Sequence, residues 1–411
     1  MTIGPAASAA AIAIPNATQS AFRMSHLMKN ASENPAILAS VAPGASEVLM
    51  NFPSGSRVYH AGTMFKRTAT RTLRLILAFL LAGSATALAV AAAVTDPNNV
   101  TGSAGLVMID KRGNLVRFFD PATLKETATL DIGGPPHELA ISPDRKEAYI
   151  PIYGDGVYGA NPHPGHIIAI VDLTTRKQTG TIDVSPAIAP HGLKVDAKGT
   201  LYAVCDLSRT LLVIDPKARK VQASIDVEGT AHWLVVLPDG SKAYTANKQD
   251  RLFLSVVDLK ARKMTGRIAM PNGAQGIGLS PDGTRVIAAD FAEPNIRVID
   301  TAKDTVIDTI KVERVSGGGP FRLQYSPDGT RLLTTTLGAN LLNVFDASNL
   351  RARQLVVPVG RDPFGVAFTK DGKTALVSNH GDGTISVVDV ASGTVKSSFT
   401  AGVGIETLAY Y

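Results

Sequence analysis

Histidine is the residue type in this sequence with the widest chemical range, because an imidazole changes charge near neutral pH and binds transition metals. The chain has 411 residues and eight histidines. Those that follow residue 105 are His137, His163, His166, His191, His232 and His380. The sequence contains no CxxCH, HExxH, GxSxG or P-loop pattern, and Cys205 is its single cysteine. Any site built from these histidines must therefore be assembled by the fold.

A repeat runs through the last three quarters of the chain. Successive apolar runs each end in an aspartate, at Asp120, Asp172, Asp215, Asp258, Asp300, Asp346 and Asp389. Neighbouring aspartates in this series are 42 to 52 residues apart. A period of this length, with several short β-rich runs in each unit, is typical of the blades of a β-propeller.

Most units also contain a tight turn between two predicted strands, such as Ser-Pro-Asp-Gly at residues 280–283 and 326–329. Proline presets φ and glycine accepts a positive φ, so these segments predict hairpin turns. The first unit, at residues 106–132, lacks a first strand, whereas residues 404–410 resemble one and then the chain ends. We therefore predict an all-β fold over residues 106–411: a seven-bladed β-propeller of four-stranded antiparallel blades, with the first blade completed by the C-terminal strand.

The strand order predicts that the histidines share one face. If the strands of a blade are named A to D, the start of A, the end of B, the start of C and the end of D lie at the same face, here named the top face. The strand-A starts of blades 1 to 7 align Glu406, His137, His191, His232, Gln275, Phe321 and Phe364 around the channel. One half of this ring is polar and the other contains two phenylalanines. We predict that these residues bind a ligand.

Three imidazoles and a carboxylate are ligand types that suit a divalent metal, so His137, His191, His232 and Glu406 are candidate ligands for Zn²⁺, Cu²⁺ or Mg²⁺. The sequence leaves two other interpretations open. The ring residues could act directly as acids and bases, or each imidazole could bond to a loop carbonyl or to water in the channel.

Blade 2 has the longest departure from the repeat, at residues 153–166. In one interpretation, Asp155, His163 and His166 of this segment complete a metal shell or gate a ligand above His137. In the other, the segment is a tolerated surface insertion.

Other residues whose side chains could take part in binding or catalysis have simpler structural interpretations. Cys205 falls at the end of a strand B, where a small buried residue is favoured over a soft-metal ligand. Trp233 follows His232 and is expected to pack in the next layer rather than stack on a substrate. The repeated aspartates lie at the opposite face and are expected to form turns.

The region before the repeat predicts export. Residues 64–93 combine a basic head from Met64, an apolar core at 75–82 and Ala-x-Ala cleavage sites, which is the pattern of a secretory signal peptide. An uncleaved anchor is the alternative, since residues 75–94 carry no charge. We expect translation to start at Met64, residues 1–63 to be either a wrongly assigned upstream extension or a disordered one, and residues 94–105 to be a linker. The protein is then periplasmic or extracellular.

Charge weakens the case for a polyanion partner. The formal net charge is +6, but seven basic and two acidic residues lie before residue 94, which leaves 34 basic and 33 acidic residues in the remainder. The predicted propeller is therefore close to neutral, without the basic excess that is typical of nucleic-acid binding.

The repeat resembles the YVTN family of seven-bladed propellers, which includes YncE-like periplasmic proteins. The Ser-Pro-Asp-Gly turns, the strand-B ends at 243–247 and 375–379, and the Val-Val-Asp strand-C ends carry this resemblance over residues 106–411. The resemblance implies a fold and leaves function open. We expect a monomeric binding or scaffold module for a small molecule or protein segment. The alternatives are a metal-dependent lyase or lactone hydrolase on the same ring, and a nucleic-acid binder of YncE type.

Overall fold

The computed structural model describes residues 105–157, 161–248, 251–314 and 319–411. Within these ranges, 28 strands form seven four-stranded sheets, each with adjacent strands paired antiparallel. The predicted seven-bladed β-propeller is confirmed. The predictions for residues 1–63 and 64–93, and for the linker up to residue 104, lie outside the described residues. The described part of the chain contains no helix that is long and apolar enough to span a membrane.

The first four blades have the following strands in chain order. Blade 1 contains β1 (Leu106–Asp110), β2 (Leu115–Phe119), β3 (Glu126–Leu130) and the C-terminal strand β28 (Ile405–Tyr410). Blade 2 contains β4 (Ala140–Ile141), β5 (Glu147–Gly154), β6 (Pro164–Asp172) and β7 (Lys177–Asp183). Blade 3 contains β8 (Pro190–Val195), β9 (Leu201–Cys205), β10 (Thr210–Asp215) and β11 (Lys220–Asp226). Blade 4 contains β12 (Ala231–Val236), β13 (Lys242–Asn247), β14 (Phe253–Asp258) and β15 (Lys263–Ala269).

The last three blades follow the same plan. Blade 5 contains β16 (Ala274–Leu279), β17 (Arg285–Asp290), β18 (Asn295–Asp300) and β19 (Thr305–Lys311). Blade 6 contains β20 (Leu323–Tyr325), β21 (Arg331–Thr336), β22 (Leu341–Asp346) and β23 (Leu355–Pro358). Blade 7 contains β24 (Pro363–Phe368), β25 (Thr374–Asn379), β26 (Thr384–Asp389) and β27 (Thr394–Thr400).

The C-terminal strand closes the ring, as predicted. β28 pairs with β1 in the register Leu106↔Tyr410, so it is strand A of blade 1. It also contacts blade 7, because the Ser378 hydroxyl donates to the Glu406 carbonyl at 3.2 Å. Closure leaves no strand edge open at the junction between the chain ends.

Burial falls from the channel to the rim of each blade. The inner strand β28 is buried along its whole length, whereas the outer strand β27 is exposed at six of its seven residues. Inner strands pack against neighbouring blades, which buries even the polar residues Glu406 and Thr407 of β28. The cores between blades therefore carry most of the hydrophobic burial.

The repeated turns have the predicted roles. In the turn between β20 and β21, the Ser326 hydroxyl donates to Asp328 at 2.6 Å, and Gly329 adopts a φ of +70°. At the end of β18, the Asp300 carboxylate accepts the backbone N–H groups of Ala302 and Lys303 at 3.0 and 2.9 Å. The prediction that the repeated aspartates form turns is confirmed.

Candidate functional site

The seven predicted ring residues are placed by a common irregularity at the start of strand A. The register of the A–B pair shifts at this point in blades 1, 3, 4, 5 and 7, which is the mark of a β-bulge. In blades 2 and 6, His137 and Phe321 instead lie just before the shortened strands β4 and β20. A bulge redirects a side chain out of the regular alternation. We name Glu406, His137, His191, His232, Gln275, Phe321 and Phe364 the lower ring.

Glycine allows neighbouring inner strands to approach at this level. A Cβ on Gly276 would lie 2.0 Å from the carbonyl oxygen of Phe321 in the next blade. A Cβ on Gly192 would lie 2.7 Å from the His232 carbonyl oxygen, and one on Gly365 would lie 2.7 Å from that of Glu406. Each glycine follows a lower-ring residue in the sequence, so the backbone that supports the ring is tightly packed.

Glu406 and the three histidines form a continuous polar series. Nδ1 of His137 lies 2.9 Å from Oε2 of Glu406, and the Nε2 atoms of His137 and His191 are 2.5 Å apart. Nδ1 of His191 donates to the carbonyl of His232 at 2.8 Å, and the rings of His191 and His232 have centroids 3.8 Å apart. These four residues, from consecutive blades, are each at most 6% exposed.

The polar series is held in a desolvated environment. Burial lowers the pKa of His137, His191 and His232 well below the usual value, and the positive charges of Lys111 and Lys248 lower it further. Burial raises the pKa of Glu406, although Lys111 opposes this shift. The imidazoles are therefore neutral at pH 7 and retain their capacity to accept or donate hydrogen bonds.

The other half of the lower ring is apolar except for Gln275. Phe321 and Phe364 pack together with ring centroids 4.5 Å apart, and Phe364 packs on His380 at 4.6 Å. Gln275 is 3% exposed, and neither atom of its amide has a hydrogen-bond partner among the described residues. A buried, unpaired amide costs stability unless a ligand or water satisfies it.

A second layer closes the channel below the lower ring, and the sequence analysis missed its charged members. Glu138 of blade 2 accepts two bonds from Arg322 of blade 6, at 2.8 and 3.0 Å. The indole of Trp233 in blade 4 donates to Glu138 at 3.1 Å and lies 4.4 Å from the Arg322 guanidinium. We name these three residues the floor. The cavity beside them has a volume of about 20 Å³, room for about one water molecule.

Trp233 packs in the floor, so the prediction that it packs in the layer next to the ring is confirmed. Its ring centroid lies 4.9 Å from that of Phe321. The floor residues come from even-numbered blades, and the odd-numbered blades 3, 5 and 7 supply Gly192, Gly276 and Gly365 at the equivalent position. This alternation of large and small residues fits three side chains across a narrow channel. Extending the strand-A alignment by one residue would have revealed it.

A second ring lies above the lower ring, and the sequence analysis missed it as well. In six blades it consists of the residue that directly follows the end of strand B, and in blade 2 of the residue that follows Ile152, where strand β5 is bridged to Pro136. Its members are Lys111, Tyr153, Asp206, Lys248, Phe291, Leu337 and His380. We name it the upper ring. Aligning the strand-B ends by one further position would have found six of its members, because that position enters the top-face loop in blades 1 and 3 to 7.

The upper ring is polar above the histidines. Nζ of Lys111 lies 3.6 Å from Oε2 of Glu406 and 5.8 Å from the centroid of the Tyr153 ring. The Tyr153 hydroxyl donates to Asp206 at 2.8 Å, and its ring stacks on His137 with a centroid separation of 4.9 Å. Tyr153 is fully buried, so the blade-2 insertion does begin directly above the lower ring.

Lys248 and Asp206 are perturbed by their burial. Desolvation lowers the pKa of Lys248 to about 8, against the opposing charge of Asp206. Desolvation raises the pKa of Asp206 to about 6, against the Tyr153 hydrogen bond. Perturbation of this size at a channel mouth is characteristic of functional sites.

The remaining predicted residues lie away from this centre. His163 pairs with Asp155 at 2.6 Å, and His166 pairs with Asp183 at 3.1 Å. The side chains of His163 and His166 are 79% and 50% exposed, so they lie outside the buried ring. Cys205 is fully buried in an apolar cluster, and burial raises its thiol pKa. The prediction of a small buried residue at this position is confirmed.

The geometry also bears on the metal hypothesis. Two bonds of about 2.0–2.1 Å to one tetrahedral ion would hold their nitrogens about 3.3 Å apart, farther than the two Nε2 atoms of His137 and His191. Among the described residues, no group of three or more His, Cys, Asp or Glu side chains is arranged to hold a metal ion. Metal binding would therefore require the imidazoles to move apart.

Comparison with known proteins defines the class of this protein by its fold. No protein-family model matches the chain, and no curated protein sequence matches it. Among solved structures, it is similar to a chain of hydrazine synthase from Kuenenia stuttgartiensis, with a TM-score of 0.58 and 19% identity over 68% of this chain and 90% of that one. This likeness shows the fold alone. The chain is a seven-bladed β-propeller protein.

Proposed function

We propose that this protein is an exported, YVTN-type β-propeller that binds a small molecule or protein segment at the top of its channel. The observation that carries the proposal is the buried polar half of the lower ring. Four consecutive blades place titratable side chains side by side there, and the amide of Gln275 next to them has no partner among the described residues. Such an arrangement costs stability, and a bound ligand that satisfies it explains why it is present.

The floor favours binding from the top face. Glu138, Trp233 and Arg322 bond to one another across the channel below the ring, so we expect a ligand to reach the ring through the upper ring. Few polar groups beside an aromatic wall are a usual feature of small-molecule sites.

Two double variants test the proposal in the full-length protein. His137→Leu/His191→Leu removes the centre of the polar series, whereas His163→Ala/His166→Ala removes two exposed imidazoles from the same face. Saturation-transfer NMR with a fragment library measures binding to the wild type and to both variants. We expect bound fragments to be lost only in the first variant. Fragments that bind equally to both variants, or no bound fragment in the wild type, would contradict the proposal.

A metal-assisted lyase or lactone hydrolase is the second candidate. The contacts among the three imidazoles favour it, and the close approach of the His137 and His191 Nε2 atoms opposes it. Its test is metal analysis of protein purified without a His-tag, followed by melting in the presence of Zn²⁺, Cu²⁺ or Mg²⁺. Sub-stoichiometric metal together with an unchanged melting temperature rules this candidate out. A metal effect that persists in His137→Leu/His191→Leu rules out the ring as its site.

Nucleic-acid binding of YncE type is the third candidate, supported by the family resemblance and opposed by the near-neutral charge after residue 93. Binding to single strands that weakens steeply with salt would favour it. Export is tested separately, by fractionating cells and determining the N-terminal residue of the mature chain. We expect cleavage within residues 83–93, whereas a chain retained in the membrane would indicate the anchor.

A further inference from the structure

Some members of the two rings reach the mouth of the channel, and others are buried below it. The partly exposed members are Lys111, Lys248, Phe291, Leu337, Phe364 and His380. The carboxylates lie deeper, since Asp206 is 1% and Glu406 6% exposed. A molecule that enters from the top face therefore meets two ammonium groups and an apolar wall before it meets an acid.

The two lysines stand on opposite sides of the polar half. Lys111 belongs to blade 1 and Lys248 to blade 4, and the charges of both act on all three buried imidazoles between them. Nζ of Lys111 lies 3.6 Å from the buried Oε2 of Glu406, so its ammonium group lies at the lower ring. Lys248 also lies 5.4 Å from the centroid of the Phe291 ring, where the polar half meets the apolar half.

The apolar wall spans blades 5 to 7. Phe291 and Leu337 form its upper level, beside the imidazole of His380, and Phe321 and Phe364 form its lower level. Contact with aromatic faces favours a flat, apolar ligand body. Gln275 supplies an unpaired buried donor and acceptor at the border between the wall and His232.

We propose that the ligand of this site is an aromatic or alicyclic carboxylate, with its carboxylate between Lys111 and Lys248 and its ring against the wall formed by Phe291, Leu337 and Phe364. This inference rests on the proposed function and specifies its ligand class. Charge-assisted hydrogen bonds to the two ammonium groups fix the anion, and the wall gives affinity through apolar burial. Neutral and cationic molecules of the same shape lack the first of these interactions.

The test uses four probes and the full-length protein at pH 7. The probes are 2-naphthoate, neutral 2-naphthylmethanol, cationic 2-naphthylmethylammonium, and acetate, which lacks the ring. Calorimetry and saturation-transfer NMR measure their affinities. We expect 2-naphthoate to bind at least tenfold more tightly than each of the other three.

Three lysine variants locate the effect. Lys111→Met and Lys248→Met should each weaken 2-naphthoate binding three- to tenfold and leave 2-naphthylmethanol unchanged. Lys263→Met, in the exposed outer strand β15 of the same blade as Lys248, is the matched control and should bind like the wild type. Lys248→Arg keeps the charge and should retain most of the affinity.

The outcomes separate this inference from the proposed function. If 2-naphthylmethanol or the ammonium probe binds as tightly as 2-naphthoate, and His137→Leu/His191→Leu abolishes that binding, the ligand class is wrong and the proposed site stands. If 2-naphthoate binding is unaffected by Lys111→Met and Lys248→Met, the carboxylate does not lie between these lysines and the inference fails. If none of the probes and none of the library fragments binds, both proposals fail.

Discussion

The two halves of the channel occupy equivalent backbone positions and hold opposite chemistry. Blades 1 to 4 contribute Glu406, His137, His191 and His232 to the lower ring, while blades 6 and 7 contribute Phe321 and Phe364 at the same level. The upper ring repeats the division, with Lys111 and Asp206 on one side and Leu337 on the other.

Burial of the apolar half stabilises the fold, whereas burial of the ionisable side chains of the polar half costs solvation free energy. Phe321 and Phe364 gain free energy from leaving water and from packing at 4.5 Å. In the polar half, desolvation shifts the pKa of Glu406, Asp206 and the three imidazoles toward their neutral forms, so the fold holds these groups against a solvation penalty. A fold selected for stability alone would have replaced them, so the comparison points to function in blades 1 to 4.

The floor, which joins the two halves, should give the largest effect. Arg322→Met leaves Glu138 buried without its cation, and breaking a buried pair in this way costs about 3–5 kcal/mol. Urea denaturation measures the loss in the free energy of unfolding. The double variant Glu138→Gln/Arg322→Met should lose less than Arg322→Met alone. A loss below about 1 kcal/mol in Arg322→Met would show that the pair does not hold the halves together.

Gly276→Ala should be next in size. Its Cβ would lie 2.0 Å from the Phe321 carbonyl oxygen, so the strands that carry Gln275 and Phe321 must separate. Overpacking of this kind costs about 3 kcal/mol. Gly338→Ala is the matched control, since a Cβ there meets nothing within 4 Å. Equal melting temperatures for the two variants would contradict the close approach of blades 5 and 6.

Asp206→Asn tests the polar half through its pH dependence. The pKa of Asp206 is raised by burial to about 6, above its unfolded value, so the folded protein holds this proton more tightly. Its contribution to stability is full below about pH 4 and is lost as the pH rises through 6. The asparagine keeps an acceptor for Tyr153 and removes this loss. We expect the variant to gain about 2 kcal/mol relative to wild type between pH 4 and pH 7.

An exposed aspartate provides the control for this pH dependence. In Asp371, turn hydrogen bonds from Lys373 and Thr369 lower the pKa, so its contribution is lost as the pH falls. Relative to wild type, Asp371→Asn should therefore lose stability as the pH rises, which is the opposite of the change expected for Asp206→Asn. If the stability of Asp206→Asn relative to wild type is constant from pH 4 to pH 7, Asp206 is not desolvated as the structure indicates.

Gln275→Leu should have the smallest effect and a positive sign. It replaces an amide that has no described partner with an apolar side chain of similar size, at the border with the apolar half. Removing an unsatisfied buried group should raise the free energy of unfolding by about 1 kcal/mol. A thermal melt measures this change. Destabilisation by a similar amount would show that the amide is already satisfied in the folded protein.

Local sequence determined the blades, because each blade is built from interactions close in sequence. The aspartate at the end of each strand C and the Ser-Pro-Asp-Gly turns act within a few residues, as Asp300 and Ser326 do. Their period therefore predicted the number of blades, and the unpaired first and last segments predicted the closure by β28. The same alignment predicted which seven residues share the lower ring.

Tertiary structure decided the distances and partners within the channel. The alignment placed His137 and His191 in equivalent positions, but only the packing of blades 2 and 3 brings their Nε2 atoms to 2.5 Å. The sequence predicts that His163 and His166 lie on the same face as these two histidines, but in the structure they pair with the exposed Asp155 and Asp183. The bond between Glu138 and Arg322 joins residues 184 positions apart. Such contacts depend on the diameter and closure of the whole ring, which no local pattern encodes.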